Sequence, residues 1–328
     1  MAQDGVKTAA VTGATGFVGR HMVQMLLDRG HRVRAMARDA EKASRVLGEH
    51  DHLEIVEGRV LDGETPEALV RGADVCVHLI GIIREAGNGQ TFNRMHVEAT
   101  RAMVRACEAQ GVGRYLQMSA LGVRPDGVSA YQKTKFEAEK SVRRSSLDWT
   151  IFRPGMIVGK DGDFFNQMKR WCESRELPYF FMPYFLRTSL DVTAVPPVPS
   201  IEAPQIAPID VDDVCRAFCD SIDNRATFGE IYPLVGAQVL TWPEMLRMTR
   251  DALPQSNKQL KAVGIPATIA AAKAQAFKLI GLGALLPFDE GMARMGGEDS
   301  IASTEKAAWH LEFVASGYEE KLPEYVKA

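Results

Sequence analysis

Short apolar runs recur through the first half of the chain, at residues 7–13 (KTAAVTG), 31–38 (HRVRAMAR), 53–58 (LEIVEG), 75–81 (VCVHLIG), 114–120 (RYLQMSA) and 150–159 (TIFRPGMIVG). Each is bounded by glycine or polar residues, as expected of strands buried on both faces. Between most of them the apolar period lengthens to that of a helix. In RHMVQMLLDRG, Met22, Met25 and Leu26 share one face and Gly30 supplies the stop. Further helices are predicted around TPEALVRGA (65–73), from about Gln90 to Gln110, and over YQKTKFEAEKSVRRS (131–145). Such alternation predicts an α/β fold with a doubly wound parallel sheet. The pattern breaks after Gly159. Residues 178–208 hold seven prolines and the cluster PYFFMPYF, which no single regular element accommodates. A helix (VDDVCRAFCDSI, 211–222) and a strand (GEIYPLVG, 229–236) follow, and the rest reads as mostly helical.

The first strand-to-helix junction carries GATGFVGRHM (13–22). A glycine triplet alone marks only a tight turn, but here a strand precedes it, a helix follows, and a second strand begins near His31. In that setting Gly13 makes the turn, Gly16 lets the backbone approach a pyrophosphate, and Gly19 lets helix and sheet pack closely. The helix N-terminus adds free amides and the positive end of its dipole. A dinucleotide site is therefore expected. The end of the second strand then bears on cofactor choice: a carboxylate there accepts from the ribose, whereas an arginine pairs with a 2′-phosphate. The chain has Arg38 followed by Asp39, with Arg34 on the same strand face. Arg38 in the strand-end position favours NADP(H), with NAD(H) as the alternative; solvated surface charge is the plainer reading of all three.

Tyr131 and Lys135 lie four apart on a predicted helix and share a face. Ser119 closes the fifth strand, at the carboxyl edge where ligands bind in such sheets. A tyrosine works near neutrality only if its pKa, ordinarily ~10, is lowered. Lys135 and a cationic nicotinamide would share that task, and Ser119 would orient the substrate oxygen. These three are the candidate catalytic residues; the plainer alternative is a surface tyrosine with a solvated lysine.

The spacing GxxGxxG, with TGATGFVG, HLIG, HVEATRAMVRACEAQGV, YQKTK, FRPGMIVG, PIDVDDVCRAF and GEIYPLVGAQVLTWPEML, resembles the short-chain dehydrogenase/reductase superfamily in its extended or atypical, epimerase-like branch. The combination of VEATR, YLQMSALG, FRPGMIVG and PLVGAQVLTWPEML is most similar to the group holding the nucleotide-binding accessory subunit of respiratory complex I and its bacterial relatives. The resemblance implies a Rossmann domain for NADP(H). Leu79, Ile80 and Gly81 would line the cofactor and Pro154 to Ile157 flank the nicotinamide, with Thr15, Phe17, Val18 and Val60 as further contacts. It implies residues 1–159, completed by parts of 206–236, as the dinucleotide domain, and 160–205 with 237–328 as a substrate- or partner-binding portion. Two positions depart from the pattern: Arg59 stands where relatives carry an acidic residue, and His96 where an asparagine is usual. His96 is expected to serve packing or a helix surface rather than catalysis.

Bulk properties narrow the partners. A net charge of −3 without a basic run gives no reason to expect nucleic acid. The five cysteines lack framework spacing, so a reducing, cytoplasm-like compartment is expected. Cys215 and Cys219 share a helix face without a nearby histidine, and no metal site is expected. The N-terminus lacks a signal-peptide core. Lys273 and Lys278 interrupt the most apolar stretch, IPATIAAAKAQAFKLIGLGALLPF. That stretch and PYFFMPYF would form a substrate-domain core or a subunit contact in an oligomer, or else a lipophilic substrate pocket or membrane-surface helix with snorkelling lysines. Two functions follow: an oxidoreductase or epimerase acting on a carbonyl or hydroxyl compound, or a largely non-catalytic NADP(H)-holding subunit of a membrane respiratory complex, peripheral at the membrane's inner face.

Overall fold

The computed structural model describes residues 5–191, 198–282 and 285–327. In chain order its elements begin β1 (Thr8–Thr12), α1 (Phe17–Asp28), β2 (Arg32–Ala37), α2 (Ala40–Leu47), β3 (Leu53–Glu57), α3 (Thr65–Val70) and β4 (Val75–His78). A π-helical turn (Asn93–Glu98) leads into α4 (Ala99–Gln110), then β5 (Arg114–Met118), α5 (Ala130–Arg143), β6 (Asp148–Pro154), β7 (Ile157–Val158) and α6 (Asp163–Cys172). Next come β8 (Phe181–Asp191), β9 (Val198–Glu202), β10 (Gln205–Ile206), β11 (Ile209–Asp210), α7 (Val211–Asp220) and β12 (Glu230–Leu234). The chain finishes with β13 (Leu240–Thr241), α8 (Trp242–Ala252), β14 (Lys261–Pro266), α9 (Ala267–Leu279), α10 (Glu290–Met295), α11 (Glu305–Leu311) and α12 (Tyr318–Val326).

Seven strands form one sheet in the order β12-β6-β5-β4-β1-β2-β3, all parallel. This is the predicted doubly wound sheet, and its strand order reverses between β1 and β4, where such folds hold their ligands. Two apolar layers cover it. One packs α1 and α7 on the sheet through Met22, Leu26, Val214 and Phe218; the other packs α3 and α4 through Leu69, Met103 and Cys107. Ala307 and Leu311 of α11, with Phe313, join the first layer, so the sheet draws on residues well beyond 236.

The proline-rich region resolves into separate pieces. PYFFMPYF spans the start of β8, which pairs in parallel with β14 and antiparallel with β9, outside the main sheet. One helix goes unpredicted: α2 is short, its apolar stripe is only Ala40, Ala43 and Leu47, with Ala43 alone fully buried, and it is started by Asp39. The Asp39 carboxylate accepts the Lys42 amide at 2.8 Å, an N-cap. All five cysteines are buried, and among the described residues no cluster of metal-binding side chains occurs.

Candidate functional site

The glycine turn is built as its spacing requires. Gly13 has φ +71°, and a Cβ there would stand 3.2 Å from the backbone at Leu79 and Ile80, so the end of β4 packs directly on the turn. A Cβ at Gly19 would overlap the Gly13 carbonyl oxygen and Ala14. Gly16 is the N-cap of α1, and no side chain caps this helix. Its first amides are left to a ligand, the arrangement that suits a pyrophosphate. Phe17 holds the turn from the far side, its ring filling the space that side chains at Gly159 and Gly162 would need. Gly16→Val is expected to abolish NADPH binding in calorimetry while the circular dichroism of the folded chain persists; undiminished affinity would place the pyrophosphate elsewhere.

Beyond the carboxyl ends of β2 and β3 lies a cavity of about 270 Å³ lined by Thr15, Arg38, Asp39, Lys42, Ala43 and Arg59. Three cationic side chains thus face one space. The carboxylate of Asp39 is already engaged as a helix cap. Arg34 is not part of this group: it forms a two-pronged pair with Glu54, both bonds 2.9 Å, and also donates to the Arg71 carbonyl. Val60 is buried in the core beside this cavity rather than lining it.

At the carboxyl ends of β4 and β5, α5 brings in the predicted pair. A capping box between Ser129 and Gln132 fixes the start of this helix. Lys135 is buried, donates to the Met118 carbonyl at 3.1 Å, and its Nζ lies 2.8 Å from where a Cβ on Gly81 would be. Burial holds its pKa down to about 8, with Glu139 acting the other way. His96 packs edge-on against Tyr131, ring centroids 5.3 Å apart, with Nδ1 2.9 Å from Thr134 Oγ1 and Nε2 3.1 Å from the Ile82 carbonyl. Burial and then Lys135 push its pKa down to about 2, so it is a neutral packing residue.

Two expectations change here. Burial pushes the Tyr131 hydroxyl up to about 12 rather than down. Ser119, instead of pointing a free hydroxyl outward, donates it to Glu139 at 2.5 Å. Glu139, fully buried one turn beyond Lys135, also takes a two-pronged bond from Arg153 of β6 at 2.8 and 2.6 Å. Neither Glu139 nor Arg153 was singled out by sequence, although Glu139 repeats the four-residue step from Tyr131 to Lys135. Pro154 follows Arg153, and its carbonyl accepts the Leu121 amide at 2.8 Å; Ile157 pairs with Ile209 in β11. Glu298, from beyond α10, accepts from Gln132 at 2.8 Å and from Arg124, tying the C-terminal portion to the start of α5.

Comparisons with known proteins agree with this geometry. A family model described as NAD(P)H-binding matches residues 13–169, and one described as male sterility protein matches 122–218. The NADH dehydrogenase [ubiquinone] 1 alpha subcomplex subunit 9 of Dictyostelium discoideum is 27% identical over 76% of this chain and 65% of its own length. The chain therefore spans less than two thirds of that relative. A ceramide reductase of Caulobacter vibrioides is 33% identical over 48% of this chain and 49% of its own. In fold, a UDP-N-acetylglucosamine 4-epimerase from Methanobrevibacter ruminantium superposes with a TM-score of 0.71 at 15% identity, covering 98% of both chains. The NAD(P)H-binding match, the sheet order and these likenesses together support an NAD(P)-binding chain of the extended, epimerase-like short-chain dehydrogenase/reductase kind, related to the NADH dehydrogenase subunits.

Proposed function

We propose that the chain is an NADP(H)-dependent oxidoreductase that reduces a carbonyl compound, with Tyr131 as proton donor and Lys135 and Ser119 in support. The observation that carries this reading is Lys135, a buried ammonium held by the Met118 carbonyl beside Gly81, where the switch in strand order puts the ligand crevice. The uncapped start of α1 and the cationic cavity fit the pyrophosphate and adenosine ends of a dinucleotide. NADPH bound there would supply the hydride for the carbonyl carbon; Tyr131 Oη would give the substrate oxygen its proton and regain one from solvent. Burial keeps Tyr131 protonated at neutral pH, so its proton is in place for the substrate alkoxide, a stronger base than the phenolate left behind; the lowered pKa expected from sequence is what the opposite, oxidising direction would need. Lys135 orients beside it. Ser119, bonded to Glu139, keeps its oxygen lone pairs as acceptors, and this makes it a positioning group rather than the donor to the substrate.

The NADP(H) preference rests on the three cations. Arg38→Ala is expected to weaken NADPH by roughly 10- to 100-fold, the loss of a charge-assisted hydrogen bond, and NADH by much less. Titration of both cofactors against both proteins checks this. Equal losses would make Arg38 a general surface charge.

A second reading is favoured by one observation: Ser119 is turned into the Glu139–Arg153 pair instead of toward the crevice. In it the chain holds NADP(H) without turnover as a subunit of a respiratory complex; the relative from Dictyostelium, named as an NADH dehydrogenase subunit, supports the assembly part of this reading. A nicotinamide absorbance that survives dialysis, with no substrate oxidising it, would favour this reading.

A further inference from the structure

A group of exposed aliphatic side chains sits beside the mouth of the candidate site. Leu279 is 81% exposed, Ile280 66% and Leu285 71%, with Leu282 also open to solvent. The turn after α9 presents them together: Gly281 N donates to Lys278 O at 3.1 Å and Leu282 N to Phe277 O at 2.8 Å, closing the helix with a Schellman pair. The same connection is fastened to the site. Arg84 donates to the Leu286 carbonyl at 2.8 Å, and its neighbour Ile83 is 65% exposed. Ile83 is two residues from Gly81, hence within about 7 Å of the backbone that faces Lys135. On the other side, a Cβ on Gly291 would stand 3.3 Å from the Cβ of Ser129, the cap of the helix carrying Tyr131.

Charge distinguishes this patch from an ordinary apolar contact. Residues 252–288 contain four lysines (258, 261, 273 and 278) and no aspartate or glutamate, in a chain whose net charge is −3. Lys273 and Lys278 are exposed on α9 itself, as are Ile269 and Leu279. Asp289 and Glu290, next along the chain, and Glu85, beside Arg84, are engaged: Asp289 caps α10, Glu290 pairs with Arg294, and Glu85 accepts the Phe92 amide. Exposed aliphatic side chains beside Lys273 and Lys278, on a helix without a carboxylate, match a bilayer interface with anionic headgroups, the lysine stems lying along the apolar surface. Among the described residues no helix is long and apolar enough to cross a membrane, so the contact is one of lying on the surface.

We propose that the end of α9, with residues 280–282 and 285–286, docks this chain on an anionic phospholipid bilayer, with the mouth of the dinucleotide site facing the lipid. The substrate class that follows, a carbonyl compound dissolved in the bilayer, rests on the reductase reading; the docking itself does not.

The test is flotation of the full chain with vesicles of phosphatidylglycerol and phosphatidylcholine, against vesicles of phosphatidylcholine alone. The wild type should float with the anionic vesicles and at least roughly tenfold less with the neutral ones, high salt weakening the difference. Leu279→Ser with Leu285→Ser should lower anionic binding by roughly tenfold or more. Lys273→Glu with Lys278→Glu should lower it similarly. NADPH affinity, titrated on the same samples, should be unchanged in both variants, which shows that they fold. A wild type that floats with neither vesicle, or variants that float as well as the wild type, overturns the proposal. Saturable binding to a purified respiratory complex in detergent, without vesicle binding, also overturns it and makes the patch a protein contact. Vesicle binding by a chain that does not bind NADPH would leave the docking standing and remove the reductase reading.

Discussion

Tyr131→Phe lowers the rate of NADPH-dependent carbonyl reduction by about 10²- to 10⁴-fold, the usual cost of losing a general acid, and leaves cofactor affinity nearly unchanged. Phenylalanine preserves the ring that packs edge-on against His96 and Phe92, so the helix start and the lysine beyond it keep their places. Only the transferable proton goes. The assay needs no known substrate, since quinones, sugar nucleotides and simple ketones can be screened together for NADPH oxidation. If the wild type turns over a compound and the variant does so equally fast, Tyr131 is not the donor. If the wild type turns over none and the variant keeps its stability and partners, the subunit reading replaces the reductase one.

Arg153→Met destabilises the fold by about 3 kcal/mol, the lower end of what breaking a buried ion pair costs. Glu139 has no exposed surface in its side chain and would lose both bonds from the guanidinium. The penalty stays at the lower end because the Ser119 hydroxyl still donates to it and Lys135 sits one turn away. Urea unfolding measures the loss. Adding Glu139→Gln to Arg153→Met should recover part of it, because the charge left unpaired is then removed. A loss under about 1 kcal/mol would mean that water reaches Glu139 and screens it.

What sequence makes legible depends on whether a residue's role is local. The strands of the main sheet stand out because both faces are buried and their apolar runs are nearly unbroken. The glycine turn is legible because backbone clearance at Gly13 and Gly19 admits no side chain. α2 is hidden for the converse reason: its stripe of Ala40, Ala43 and Leu47 is short and mostly small, and Asp39 reads as a ribose or surface charge until its cap is seen. Tyr131 and Lys135 are legible by their spacing on one helix. Their electrostatics are not, since the burial that raises one and lowers the other comes from β4, β5 and the π-helical turn packed around them. Ser119 is legible as a strand-end hydroxyl. Its partner Glu139 lies 20 residues on, and Arg153 reaches that partner from another strand, a three-way contact that no local pattern records. The three-stranded sheet of β8, β9 and β14 is hidden likewise, because β14 pairs with a strand some 80 residues earlier.

The contact made by Glu298 bears on how the chain is synthesised. Translation delivers the nucleotide-binding strands first, and a segment of that kind can begin to fold as it emerges. Yet the outer edge of β6 stays open until β12 arrives, and the layer over the sheet lacks Ala307, Leu311 and Phe313 until later still. The start of α5 has its own capping box, but the carboxylate that joins Gln132 to Arg124, that of Glu298, is made long after it. The glycine turn can therefore be complete on the ribosome while the helix that carries Tyr131 is still unanchored. A nascent chain of this protein acquires its phosphate-binding end before its reacting end, and cofactor present during synthesis meets a half-built site that it can help to hold together.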